Sequence, residues 1–219
     1  MEKTNHLMAP ASLASHHVVP AALLDDGTLQ SIYEMNEAFL ALVVHRYQQS
    51  PEDPPFGLRA SLATQLGLLD GVAIRAVATC PYTLFDMAFD DISPWRQTAP
   101  ASLTPLLSES ERGFARMVAF FAWHLTRRDL MTAALALGMT PATHRAWRGL
   151  PLSAVDSSAD RAAPRLMARW GYHHTFWHGL LAPSLRAHAS SVPDTHLLGL
   201  QLLAADGLRP FKKQKELRV

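Results

Sequence analysis

From residue 25 to residue 50 the chain reads DDGTLQSIYEMNEAFLALVVHRYQQS, with apolar side chains at Leu29, Ile32, Tyr33, Met35, Phe39, Leu40, Val43 and Val44. That spacing is close to the 3.6-residue helical period and predicts an amphipathic helix with Thr28 or Asp26 as its N-cap. The PEDPPFG segment that follows breaks the pattern, because adjacent prolines forbid helix and push the preceding residue toward extended geometry. Helical spacing resumes over Leu58 to Leu69 and again over Val72 to Thr79, then stops at Cys80-Pro81.

The segment from Phe85 to Pro105 carries prolines at 94, 100 and 105 and reads as loop, the best candidate for a boundary between halves. A long amphipathic helix is expected after it, opened by Ser108 with Glu111 three residues on, the spacing of a capping box. Further helices are expected over 129 to 137, 141 to 148, 163 to 182 and 194 to 205. No stretch alternates apolar and polar residues convincingly over five or more positions. The expected fold is therefore all-α, a helical bundle of about seven to nine helices.

Two stretches share a pattern: LATQLGLLDGVAIRAVATCPYTLFD and MTAALALGMTPATHRAWRGLPLSAVD. Aligned on Gly67 and Gly138 with one inserted residue, they match at Ala63 and Ala134, Arg75 and Arg145, Pro81 and Pro151, and Asp86 and Asp156. Each follows an aromatic-aliphatic helix, so a duplicated unit of two similar helical halves is one reading; chance matching in an Ala/Leu-rich helical chain is the other. The expected organisation is a flexible lead-in over 1–20, one half over 21–100, a second over 101–205 and a basic tail over 206–219.

Composition narrows the function classes. Apolar residues make up 48% of the chain and charged residues only 18%, so part of the surface is expected to be covered by a protein partner or a second copy. The net charge of +1 gives no global pull toward nucleic acid, so any basic site is local. The Arg-rich stretch from Arg112 to Arg186 is the candidate, since lysine is confined to Lys3 and to Lys212, Lys213 and Lys215. The single cysteine, Cys80, excludes an intramolecular disulfide and fits a reducing, cytoplasmic setting. The first residues do not read as a secretory signal and no apolar run is long enough to span a membrane, so no membrane association is expected.

Residues 130 to 148 have the makings of a helix-turn-helix corner: small Ala134 on the first helix, Gly138 at the turn, and Trp147 to anchor the second helix. Its exposed face would carry Thr143, Arg145 and Arg148, with Arg127 and Arg128 nearby, as DNA contacts. His144 departs from the pattern, standing where a branched aliphatic anchor is usual. A Gly-capped corner also occurs where two helices are merely joined.

The residues LGMTPATHRAWRGLPLSAVDSSA, through Leu137, Gly138, Met139, Thr140, Leu150 and Leu152, resemble the D subunit of the flagellar master transcriptional activator over residues 135–159. The resemblance implies an all-helical bacterial regulator of the cytoplasm that dimerises and acts with a partner subunit at promoters. This chain is much longer than that family's, and WGYHHTFWHGLL has no counterpart there.

That last segment is chemically distinctive. His174 and His178 stand at i and i+4, a spacing that can bind a metal, but Thr175 occupies the place where a zinc protease has its Glu. Trp170, Tyr172, Phe176 and Trp177 read better as a packing surface for a partner or for the other half. Asp86, Asp90 and Asp91 read as helix caps rather than acid/base catalysts, and Cys80 as a buried small hydrophobe. No phosphate loop or Gly-x-Ser-x-Gly motif occurs. The expectation is a non-enzymatic regulatory protein without a cofactor, acting through helical contacts with a protein partner or as a homodimer, with DNA as a second partner. The alternatives are a helical metal- or ligand-binding protein using the His-rich segment, and an adaptor or secretion-type chaperone.

Overall fold

A computed structural model describes residues 24–96, 107–185 and 192–208. The expected lead-in over 1–20 and most of the basic tail lie outside the described residues, as does the point at residue 100 where the halves were expected to divide. The described residues are mostly helical: α1 (Asp26–Gln49), α2 (Ala60–Gly67), α3 (Gly71–Ala78), α4 (Ser93–Arg96), α5 (Glu109–Arg128), α6 (Leu130–Leu137), α7 (Pro141–Arg148), α8 (Leu152–Ala162), α9 (His174–Leu185) and α10 (Val192–Leu208). Two short strands, β1 (Phe85–Asp86) and β2 (Met167–Ala168), pair antiparallel, Phe85 opposite Ala168 and Asp86 opposite Met167. The all-α expectation holds, with this one small ribbon added.

Helix starts follow from side-chain caps. Asp25, rather than Asp26 or Thr28, caps α1 by accepting from the Thr28 N–H. Ser108 and Glu111 form the expected capping box on α5. Asp70, Asp129 and Thr140 cap α3, α6 and α7 in the same way.

The long helices α1 and α5 are each followed by two eight-residue helices, and both short helices pack on the long one before them. The pairs α2–α3 and α6–α7 start and stop 70 residues apart: 60 and 130, 67 and 137, 71 and 141, 78 and 148. The two glycines that suggested the match are not equivalent within it. Gly67 is the last residue of α2, where a Cβ would collide with the Tyr47 ring of α1; Gly138 lies beyond α6 in the left-handed conformation, φ 70°.

The described part of the region expected to be a boundary loop, residues 85–96, packs into the core. Phe85, Met87, Phe89 and Trp95 are all buried, and α4 packs against α8. The helix expected over 163 to 182 is also interrupted, by a 3-10 turn at Ala163–Arg165, by β2 and by Trp170 at φ 52°, before α9 begins. Pro164 and Gly171 flank the break.

Buried polar groups tie the pieces together. Asn36 of α1, fully buried, donates its amide to the carbonyls of Ala78, Cys80 and Tyr82 and accepts from the Leu84 N–H at 2.8 Å. The same 78–84 segment reaches α6, where the Thr83 N–H and hydroxyl both donate to the Ala136 carbonyl. α10 is fastened by the Tyr82 hydroxyl, which donates to the His196 carbonyl at 3.2 Å, and by Trp170 Nε1, which donates to Asp206 Oδ2 at 2.8 Å.

Candidate functional site

The corner between α6 and α7 is closed by a left-handed glycine and a side-chain cap. Gly138 takes the left-handed C-cap position and returns its N–H to the Ala134 carbonyl, and Thr140 caps α7 with Pro141 at its first turn. Trp147 is fully buried, 4.4 Å from the Trp95 ring centroid and 5.8 Å from Phe89, and so fixes the angle of α7 against the bundle. His144 is buried as well, in the slot where an aliphatic anchor is usual. Its Nε2 has no hydrogen-bond partner.

Thr143 does not lie on the exposed face as expected. It sits one helical turn before Trp147, so the rotation that buries Trp147 buries Thr143 too, at 4% exposure, with its hydroxyl donating to the Thr140 carbonyl. Arg145 and Arg148 are exposed and form no ion pair with any described residue.

Arg127 joins them from α5. Its guanidinium lies 3.8 Å over the Trp123 ring and donates to the Arg148 carbonyl at 3.1 Å and the Leu150 carbonyl at 3.3 Å. Trp123 Nε1 donates to the same Leu150 carbonyl at 3.0 Å. The orphan carbonyls at the end of α7 are thus satisfied from α5, which brings the Arg127 guanidinium to the end of the helix that carries the exposed Arg145 and Arg148. At 3.6 residues per turn, Arg112, Arg116, Phe120, Trp123 and Arg127 share one face of α5; Arg116 pairs with Asp160 at 2.9 Å. Arg128 is engaged elsewhere: one terminal nitrogen pairs with Asp25 at 3.0 Å and the other donates to the Thr28 hydroxyl, at the start of α1.

Beneath the turn lies Arg169, which the sequence did not single out. It is 6% exposed, donates Nη2 to the Leu137 carbonyl at 2.8 Å, and leaves Nη1 without a hydrogen-bond partner. Burial lowers its pKa from the usual guanidinium value, while nearby Asp86 and Asp206 act in the opposite direction.

The aromatic segment is not a free surface. Trp170, Phe176 and Trp177 are buried within the chain; Phe176 contacts both tryptophans, and Trp170 and Phe176 contact Tyr82, whereas Tyr172 is 59% exposed. Trp170 and Phe176 thus pack on Tyr82, a residue of the region before α5. His174 and His178 are exposed, with rings stacked 5.4 Å apart beside Arg59 and Gln65. No third His, Cys, Asp or Glu joins them to complete a metal site among the described residues. In the acidic cluster, Asp91 accepts from the Ser93 N–H and pairs with Arg165, while burial, then Asp86, raises the Asp90 carboxyl. Comparison with known proteins found no family model, no curated protein and no solved structure that matches this chain.

Proposed function

We propose that the protein is a non-enzymatic regulator that works through its helical surfaces, and that the edge carrying Arg127, Arg145 and Arg148 docks on duplex DNA. The observation that carries this reading is the display of Arg145 and Arg148, without acidic partners among the described residues, on a short helix whose angle is held by Gly138, Trp147 and the Arg127 contacts. In such a corner the second helix approaches the major groove, where guanidiniums reach phosphates and guanine edges.

Two or three guanidiniums make a weak, salt-sensitive site. A second copy of the chain or a protein partner then supplies the remaining contacts, as paired helix-turn-helix units do on two half-sites. Retention on duplex DNA as a function of salt, compared between the native chain and the Arg145→Ala/Arg148→Ala variant, tests the reading.

A further inference from the structure

A cleft of about 340 Å³ opens between the end of α1, the Pro55–Gly57 turn, the start of α5 and the segment from Ala163 to Met167. Its size falls within the range of small-molecule sites. Phe56, Leu107, Leu166 and Met167 form the apolar part of the wall; Arg46, Glu111 and Arg165 supply the charges.

The charged groups are arranged in a specific way. Glu111 is 3% exposed, and its Oε2 is taken up by the Ser108 N–H at 2.7 Å and the Ser108 hydroxyl at 2.8 Å. Oε1 faces Arg46 Nε at 3.4 Å, a loose pairing. Among the described residues the Arg46 side chain has no other ion pair or hydrogen bond, so its terminal nitrogens keep their donors, and Arg165 pairs through Nη1 with Asp91. Asp91, which lies outside the lining, offsets Arg165, so the pair left within the cleft is Arg46 with Glu111. What the cleft presents is a positive and a negative group side by side next to an apolar wall.

The wall is made at a cost in backbone strain. Phe56, a bulky residue, adopts the left-handed conformation, φ 54° and ψ 35°, and Gly57 follows at φ 69°. The turn lies close to its neighbours: a Cβ added at Gly57 would meet Met167 Cε at 3.3 Å, and one added at Gly171 would meet the Gly57 carbonyl oxygen at 2.9 Å. The result is a half-buried Phe56 ring with its centroid 5.5 Å from that of Phe39, at the border of the cleft. Strain maintained at a cleft is a mark of ligand sites.

We propose that this cleft binds a free apolar α-amino acid. The adjacent ammonium and carboxylate of such a ligand match the adjacent Glu111 Oε1 and Arg46 terminal nitrogens, and its side chain lies on Phe56, Leu107, Leu166 and Met167. This inference does not depend on the DNA contact, which uses the opposite end of α5.

Calorimetric titration of the full chain with L-phenylalanine, 3-phenylpropionate and 2-phenylethylamine tests it, with the Arg46→Met variant as a second arm. Saturable binding of L-phenylalanine is expected, with each analogue and the variant weaker by about tenfold or more. Arg46 is 41% exposed, so the variant retains its fold, which a thermal melt checks. Absence of saturable binding by L-phenylalanine overturns the proposal. So does equal binding of either analogue, which marks a merely apolar cleft, or undiminished binding by Arg46→Met.

Discussion

Arg169 Nη2 lies 2.8 Å from the carbonyl oxygen of Leu137, the last residue before the Gly138 turn. A guanidinium from the strand-and-turn segment around β2 therefore closes the end of α6, with the Gly138 N–H on Ala134 and Thr83 on Ala136 satisfying the neighbouring carbonyls. Arg169→Ala leaves the Leu137 carbonyl buried without its partner and opens a void, and is expected to destabilise the fold by about 3 kcal/mol. Arg169→Met fills the space and removes the unpaired Nη1, so its loss is smaller, about 1–2 kcal/mol. Urea unfolding of both variants checks this; equal losses would contradict it.

Asn36 holds the 78–84 segment through four backbone groups. Asn36→Ala strands them in the core, and a loss of about 3 kcal/mol or more is expected in the same urea assay. A loss below about 1 kcal/mol would mean that the segment is held by its apolar residues instead.

The two glycines of the matched corners should respond differently to alanine. At Gly138 the backbone itself is left-handed, so Gly138→Ala costs about 1–2 kcal/mol whatever surrounds it. At Gly67 the obstacle is the Tyr47 ring, 2.1 Å from an added Cβ. A second change, Tyr47→Ala, is therefore expected to offset part of the cost of Gly67→Ala in a double-mutant cycle, and to leave that of Gly138→Ala untouched.

Two titrations follow from the caps and the core. Thr28, through its hydroxyl and its N–H, holds the Asp25 carboxyl down at about 2. Because the folded value lies below the usual carboxylate value of 3.8, this stabilisation is complete above that value and is lost as pH falls through about 2. Asp25→Asn should remove that part of the acid dependence of helicity, followed by circular dichroism. The Cys80 thiol is pushed up to about 12 by burial, so it stays protonated and is expected to react with a thiol reagent at pH 8 only after unfolding. Rapid labelling of the native chain would contradict its placement.

Much of the helical layout was legible because period and punctuation agree. The capping box at Ser108 and Glu111 and the eight residues of α7 were read directly, since Thr140-Pro141 opens that helix and Gly149-Leu150-Pro151 follows it. The segment around Trp95 was misread, because its prolines signal loop while its burial depends on α8, a partner remote in sequence. Thr143 was placed outward although its spacing from Trp147 already put both on one face. Asn36, between Ile32 and Leu40 on the apolar stripe, carried a visible sign of a buried polar role. Arg169 carried none, since nothing local distinguishes it from the other arginines of its region.

The most direct measurement is retention of the full chain on duplex DNA across a salt series, native against Arg145→Ala/Arg148→Ala. Salt-dependent retention is expected for the native chain, with the salt slope reduced by about 2 in the variant and the fold unchanged. No retention of the native chain at low salt, or identical retention of both proteins, would contradict the assignment of the α7 edge to DNA.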